Sequence, residues 1–238
     1  MTPPALLAVA HGSPDPRAFP VLRELADAVR VRRRELRVEL AFLGHDEPDV
    51  ATAVRSLAAG GVDDVVVVPL LLAAAYHAKT DLPALLTSAR AAHPRLRIVQ
   101  GDVLGPHPQL TALLRRRLRE VDVDESAHVV LGAVGSSDAE ANASVAAVAA
   151  GIGASVGFAS CRPDIAEVVA GLRQGEGAGR RIAIASYVLA PGTLPDRFAS
   201  AGADVVTSPL GAEPEIVDVV LDRYDAAVAS AVPSRMHS

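Results

Sequence analysis

The feature that most constrains this chain is an alternation of apolar runs with segments of helical period. In the N-terminal half, the strand-like runs are LLAVA at 6–10, RVELAFL at 37–43, DVVVVPLLL at 64–72 and LRIVQ at 96–100. The first intervening segment places Leu22, Leu25 and Val29 on one helical face. Strands that alternate with helices over short connections predict βαβ units and a parallel sheet.

The pattern then occurs a second time. The second set of strand-like runs is HVVLGAV at 128–134, ASVGF at 154–158, RIAIASYVL at 181–189 and ADVVTSP at 203–209. Local similarities link the two sets, for example HGSPD at 11–15 with VGSSD at 134–138. A repeat of this length predicts two similar domains rather than a solenoid. We place them at residues 1–122 and 123–238, joined by an acidic linker, each with a four-stranded parallel α/β sheet of flavodoxin-like type.

Composition excludes several classes of protein. The formal net charge is −5, and the arginine tracts at 32–34 and 115–117 fall in helical segments, which argues against nucleic-acid binding. The single cysteine excludes an internal disulfide and fits a reducing compartment. The N-terminal apolar run is too short for a signal peptide or a membrane span. We therefore expect a cytoplasmic protein that binds neither nucleic acid nor membranes.

Polar residues follow the first three strands, where a parallel sheet binds its ligands. In an open α/β sheet, ligands lie beyond the carboxyl ends of the strands, where the strand order reverses. His11 follows the first strand and His77 follows the third, and a flavodoxin-like order brings the two together. The second strand is followed by His45, Asp46 and Glu47. Two imidazoles with a nearby carboxylate suit a divalent ion such as Fe²⁺, Co²⁺, Ni²⁺ or Zn²⁺.

The second half provides an internal comparison for this site. It has Val134 at the position of His11 and Leu194 at about the position of His77. The glycine–serine turn after the first strand is retained there, although both histidines are absent. The fold therefore does not require histidine at these places, and we assign the site to the first half.

Three segments together resemble a known family. AVAHGSPDPR, VVVVPLLLAAAYHAKTDLP and the second-half ASYVLAPGTLPDRF are similar to the class II chelatases of the sirohydrochlorin type, in their long two-half form. These enzymes insert Fe²⁺ or Co²⁺ into sirohydrochlorin during siroheme or cobalamin synthesis. The resemblance implies two chelatase-like domains with the tetrapyrrole in the cleft between them. It also implies that His11 and His77 bind the metal substrate and assist deprotonation of the macrocycle, without an organic cofactor.

The third metal ligand is open at this point. Relatives often carry a carboxylate directly after the second strand, where this chain has Gly44. We expect His45 or Glu47 to take its place. For Glu47, a capping role at the start of the following helix is an equally good interpretation.

Three residues are candidate substrate contacts. Gly12 and Ser13 form a turn at a helix N-terminus, a setting in which backbone N–H groups hold carboxylates. Capping of the helix by Ser13 explains the same turn equally well. Tyr76, next to His77, is the third candidate.

Two other functions stay open from the sequence. A non-catalytic carrier of metal or tetrapyrrole would keep the fold and lose the third ligand. A flavodoxin-like redox module would use the turn after the first strand for a flavin phosphate, although that loop lacks further serines and threonines. The sequence does not choose among iron, cobalt and nickel, because imidazole and carboxylate serve all three. It also leaves monomer and homodimer open.

Overall fold

The computed structural model of this chain, which describes residues 2–175 and 178–231, contains two parallel sheets of four strands each. The first sheet consists of β1 (Ala5–Ala10), β2 (Val38–Phe42), β3 (Asp64–Pro69) and β4 (Arg97–Gln100), in the order β2-β1-β3-β4. The second consists of β5 (His128–Ala133), β6 (Ser155–Phe158), β7 (Ile182–Ser186) and β8 (Val205–Val206), in the order β6-β5-β7-β8. The predicted flavodoxin-like order, with the first strand between the second and the third, is therefore confirmed in both halves.

Helices connect the strands in both halves. In the first half these are α1 (Ala18–Arg32), α2 (Val50–Ala59), α3 (Leu82–Ala92) and α4 (Pro108–Glu120), with a π-helical turn over His77–Asp81 leading into α3. In the second half they are α5 (Ala139–Gly151), α6 (Ile165–Gln174), the short α7 (Asp196–Ala199) and α8 (Pro214–Ala231). None of the helices in the described part of the chain combines the length and the apolar character needed to cross a membrane.

The sequence repeat is visible in local structure. Asp49 accepts a hydrogen bond from the Thr52 N–H at the start of α2, and Asp164 accepts one from the Ala166 N–H at the start of α6. These are aspartate N-caps, which satisfy N–H groups that the helix itself leaves free. Equivalent residues therefore start equivalent helices in the two halves.

The two halves share one core and exchange their last helices. On its outer face, the first sheet packs against α2 and α3 through residues such as Leu7, Val54 and Leu86. On its inner face it contacts α8, whereas α4 contacts β7 of the second sheet. Each half thus covers the other half's sheet with its C-terminal helix, and α4 and α8 also contact each other. The predicted boundary between residues 122 and 123 falls in the connection between α4 and β5. That the two segments are separate domains stays a prediction.

Candidate active site

His11 lies directly after β1, in a turn that only glycine can continue. The Gly44 N–H donates to the His11 carbonyl at 3.0 Å, which joins this turn to the end of β2. Gly12 has a φ of +85°, and a Cβ built on it would lie 1.7 Å from the Gly44 carbonyl oxygen. Any other residue at position 12 would both strain the backbone and clash with it. The close approach of the two loops therefore holds His11 in place.

His77 opens the π-helical turn that precedes α3. The Ala78 and Lys79 N–H groups both donate to the Ala75 carbonyl at 3.0 Å. The Gln100 side chain, at the end of β4, donates to the Ala78 carbonyl at 3.1 Å. His77 is therefore positioned by its own turn and by a neighbouring strand of the sheet.

The two imidazoles meet across the end of the sheet. His11 Nε2 lies 3.0 Å from His77 Nε2, and the rings are close to perpendicular, with an interplanar angle of 78°. His11 Nδ1 lies 3.0 Å from the Gly12 carbonyl oxygen, and His77 Nδ1 lies 2.6 Å from Asp81 Oδ2. Because a carbonyl and a carboxylate only accept, both Nδ1 atoms carry the hydrogen, and neutral rings then present both Nε2 lone pairs to one point. Two lone pairs that face one point form a position at which a cation can bind.

This geometry fits a divalent metal ion. Two imidazole nitrogens at about 2.0–2.1 Å from one ion lie about 3 Å apart when they bind at a right angle. The Asp81 carboxylate on the far nitrogen of His77 is the partner that fixes tautomer and ring orientation in metal-binding histidines. The predicted convergence of His11 and His77 is confirmed by the distance between them, and their chemical roles are taken up below.

The two other predicted ligands, His45 and Glu47, lie differently relative to the histidine pair. His45 has a φ of +68°, and its ring centroid lies 6.1 Å from that of His11. Glu47 points elsewhere, since its Oε2 accepts from the Asp49 N–H at 3.0 Å beside the start of α2. A Cβ on Gly44 would meet nothing within 4 Å. In residues 2–175 and 178–231, no group of three or more His, Cys, Asp or Glu side chains could hold a metal ion.

The histidine pair stands between two cavities. The larger is a cleft of about 700 Å³ between the halves, and the smaller, of about 550 Å³, lies against α3. His11, His45 and His77 line both. The rest of the cleft is mainly apolar, and its lining includes Leu70, Leu72, Ala73, Val134, Val188, Leu189 and Pro191. An apolar cleft with a few convergent polar groups is the usual form of a small-molecule site.

Tyr187 lines this cleft with an uncharged side chain. Its side chain is buried, and its hydroxyl donates to the Leu72 carbonyl of the other half at 3.3 Å. Burial raises the pKa of Tyr187, because the phenolate would lose its hydration. The phenol therefore stays uncharged and serves as a contact between the halves.

All three predicted substrate contacts line the cleft. The Ser13 N–H donates to Asp46 Oδ2 at 3.0 Å, and the Ser13 hydroxyl oxygen accepts from the Asp15 N–H at 3.1 Å. The Ser13 N–H and hydroxyl oxygen thus already have protein partners. The hydroxyl hydrogen of Ser13 can donate to a ligand in the cleft. Tyr76 is 58% exposed at the edge of the cleft. The substrate role of these residues stays a prediction.

Two contacts of the candidate site residues involve partners that were not among the predicted site residues. The four-residue spacing of His77 and Asp81 places both side chains on one face of a helical turn, which is a readable signal for the hydrogen bond between them. The bond from Ser13 to Asp46 had no such signal, because it joins loops from different strands.

The arrangement of two parallel α/β halves is similar to that of known solved proteins. SirB from Bacillus subtilis, solved with Fe³⁺, superposes with a TM-score of 0.82 at 26% identity and covers 96% of both chains. This likeness confirms the predicted fold class. The sirohydrochlorin cobaltochelatase of Sulfurisphaera tokodaii is 33% identical over 84 residues, which are 35% of this chain and 67% of that protein.

The family follows from these matches. The CbiX family model matches residues 5–121. The sirohydrochlorin cobaltochelatase of Priestia megaterium is 32% identical over 145 residues, which are 58% of this chain and 46% of that protein. The match thus spans about half the length of that relative. The chain belongs to the CbiX family.

Proposed function

We propose that this protein is a sirohydrochlorin chelatase that inserts Fe²⁺ or Co²⁺ into the tetrapyrrole. The observation that carries the proposal is the 3.0 Å approach of His11 Nε2 and His77 Nε2 at the wall of the cleft. Both Nδ1 atoms are bound elsewhere, so the two Nε2 lone pairs are available to one cation. The names of the relatives described above support the choice of substrate.

The reaction exchanges one dication for two protons. His11 and His77 hold the incoming ion in an incomplete coordination sphere, which allows the ion to leave for the macrocycle. Two pyrrole N–H bonds and the two histidine–metal bonds break, four bonds from the metal to the macrocycle nitrogens form, and no oxidant or reductant is needed. Once its Nε2 is free of metal, His11 accepts one of the pyrrole protons, and the second passes to His77 or to water. Such base assistance contributes about 10²–10⁴-fold to a rate.

We infer that His45 becomes the third donor once its ring moves toward the histidine pair, since it lines both cavities beside that pair but forms no three-ligand group with it among the described residues. The Glu47 carboxylate accepts from the Asp49 N–H, so this residue is the weaker candidate. Gly12, Ser13 and Tyr76 then contact the ring or its substituents from the first half. The same donors suit Ni²⁺, and no organic cofactor enters the exchange of metal for protons.

One chain supplies both walls of the cleft, and so a monomer contains the complete proposed site; a homodimer would simply contain two. The expected cytoplasmic location rests on the single cysteine of the sequence. The alternative of a flavin-binding module loses support, because the Ser13 N–H that would hold a phosphate already donates to Asp46.

Anaerobic mixing of the protein with sirohydrochlorin and Fe²⁺ or Co²⁺ tests the proposal through the visible spectrum of the tetrapyrrole. We expect insertion much faster than in a protein-free control. An equal rate with and without protein would overturn the enzymatic function. Tight, stoichiometric binding of metal or tetrapyrrole without turnover would identify a carrier instead.

A further inference from the structure

Two side-chain cations form ion pairs across the mouth of the cleft. On one side, Lys79 Nζ of the first half lies 2.9 Å from Asp138 Oδ2 and 2.7 Å from Glu140 Oε2 of the second half. On the other side, Arg17 Nη2 of the first half lies 2.5 Å from Asp196 Oδ2 of the second half. Each cation therefore belongs to the half with the histidine pair, and each receives carboxylates from the half that lacks it.

These ion pairs lie at the rim of the cleft. Asp138 directly follows the lining residue Ser137, and Asp196 directly follows the lining residue Pro195. Lys79 comes two residues after His77, in the same π-helical turn. The lining of the cleft, as far as the structure describes it, contains no lysine or arginine. The rim is thus where this cleft offers side-chain cations to an anionic ligand.

Both cations are charged at neutral pH and already neutralised. The hydrogen bonds that Lys79 donates to Glu140 and to Asp138 raise the pKa of Lys79. Hydrogen bonds to Asp15 and Asp196 raise the pKa of Arg17. A cation held in this way presents its charge in a defined place without leaving an unpaired charge when the cleft is empty.

The ion pairs are poor candidates for holding the halves together. The Lys79 side chain is 40% exposed and that of Glu140 is 86% exposed, so water and salt screen their attraction. The halves are joined instead by the shared apolar core under α4 and α8. Because the exposed pairs contribute little, another carboxylate can replace the protein's own at low cost.

We propose that Lys79 and Arg17 bind carboxylates of the tetrapyrrole, and that Asp138, Glu140 and Asp196 occupy these cations until substrate carboxylates displace them. This inference rests on the chelatase function proposed above, whose substrate carries acetate and propionate groups around its ring. Binding is then an exchange of ion pairs at the rim, while the apolar cleft accepts the ring itself. Lys79 and Arg17 are specificity determinants for acidic tetrapyrroles.

Under this proposal, removing a rim cation and removing the carboxylate paired with it have opposite effects on the KM for sirohydrochlorin. The change Lys79→Met or Arg17→Met removes a binding partner and raises the KM for sirohydrochlorin by about 3- to 10-fold. The change Glu140→Gln frees Lys79 and lowers that KM by about 2- to 3-fold. The kcat and the KM for Co²⁺ stay unchanged in all three variants. If the ion pair between Lys79 and Glu140 only held the two halves together, Lys79→Met and Glu140→Gln would change the KM in the same direction, because both variants break that pair.

Arg32→Met is the matched control. Arg32 Nη2 lies 2.8 Å from Asp218 Oδ1 and also joins the two halves, but from the C-terminal end of α1, away from the cleft. Its loss leaves the KM for sirohydrochlorin unchanged. The melting temperature of every variant is measured first, so that a change in KM is compared only among folded proteins.

The decisive experiment combines initial rates with a fluorescence titration of metal-free sirohydrochlorin, each at low and high salt. We expect weaker tetrapyrrole binding and a flatter salt dependence in Lys79→Met, and tighter binding in Glu140→Gln. Equal binding by wild type and Lys79→Met, or parallel shifts in Lys79→Met and Glu140→Gln, would overturn the inference while insertion continues. Absence of insertion by the wild type would overturn the proposed function, and the titration would still test the rim cations.

Discussion

The turn after β1 and the turn after β5 share a serine hydrogen bond but differ in the residue that ends the strand. The hydroxyls of Ser13 and Ser136 each accept from the N–H two residues later, at 3.1 and 3.0 Å. The residue at the end of the strand is His11 in the first half and Val134 in the second. The parallel sheet requires the turn in both halves, whereas the histidine is an addition in one of them.

The side chains that accept from the serine N–H also differ between the two turns. In the first half the serine N–H donates to the carboxylate of Asp46, and in the second it donates to the amide oxygen of Asn142. The acceptors come from different elements, since Asp46 follows β2 and Asn142 lies in α5. Under the proposals above, the first half carries the reactive groups, and the second half supplies a wall of the cleft and the carboxylates that pair with Lys79 and Arg17.

The strongest test of this contrast gives the first half the residue of the second. We expect His11→Val to lower the insertion rate by about 10²–10⁴-fold, because metal ligand and base are lost together. The melting temperature should change little, since Val134 fits the same turn. Initial rates and a thermal melt measure the two effects. A fully active His11→Val enzyme would remove His11 from the mechanism.

A smaller effect is expected from the carboxylate that orients His77. Asp81→Asn weakens the hydrogen bond to His77 Nδ1 and should lower Co²⁺ affinity by about 10- to 100-fold. Glu47→Gln is the control, because its carboxylate bonds to the Asp49 N–H. Titration of Co²⁺ by its visible absorption compares the two. A loss of affinity in Glu47→Gln as large as in Asp81→Asn would restore Glu47 as a ligand.

A carboxylate can also be added where the site is open. Gly44→Glu introduces one beside the histidine pair, and nothing lies within 4 Å of the new Cβ. We expect Co²⁺ to bind about tenfold more tightly. Ser160→Glu makes the equivalent change in the second half and should leave Co²⁺ affinity as it is. Equal gains in both variants would mean that overall charge, and not an added ligand, determines the affinity.

The smallest expected difference concerns the two turn glycines. A Cβ on Gly12 would meet the Gly44 backbone oxygen at 1.7 Å, whereas one on Gly135 would meet the Cys161 Sγ at 2.6 Å. A side chain moves aside more easily than backbone, so Gly12→Ala should cost about 1–2 kcal/mol more unfolding free energy than Gly135→Ala. Urea unfolding of both variants measures this. Equal losses would show that the loop around Gly44 adapts as readily as the side chain of Cys161.

Some of this molecule follows from local sequence patterns. Apolar runs with helical segments between them predict parallel strands, because the period of apolar residues depends on the local geometry of the chain. The strand order then places the ends of β1 and β3 side by side, which is why His11 and His77 could be paired from the sequence. The glycine–serine turns could be recognised for the same reason, since a turn depends on a few consecutive residues.

Other features depend on which distant segments meet. The apolar faces of α4 and α8 predict helices, but a helical face does not specify which sheet covers it, and only the folded chain shows that the two are exchanged. The ion pairs of Lys79 and Arg17 with the opposite half join residues far apart in sequence, at a cleft that forms only when both sheets pack on one core. The sequence by itself determined the strands, the turns and the histidine pair, because these follow from short-range periodicity and strand order. Tertiary structure decided the helix exchange and the charged rim, because long-range packing has no local signature.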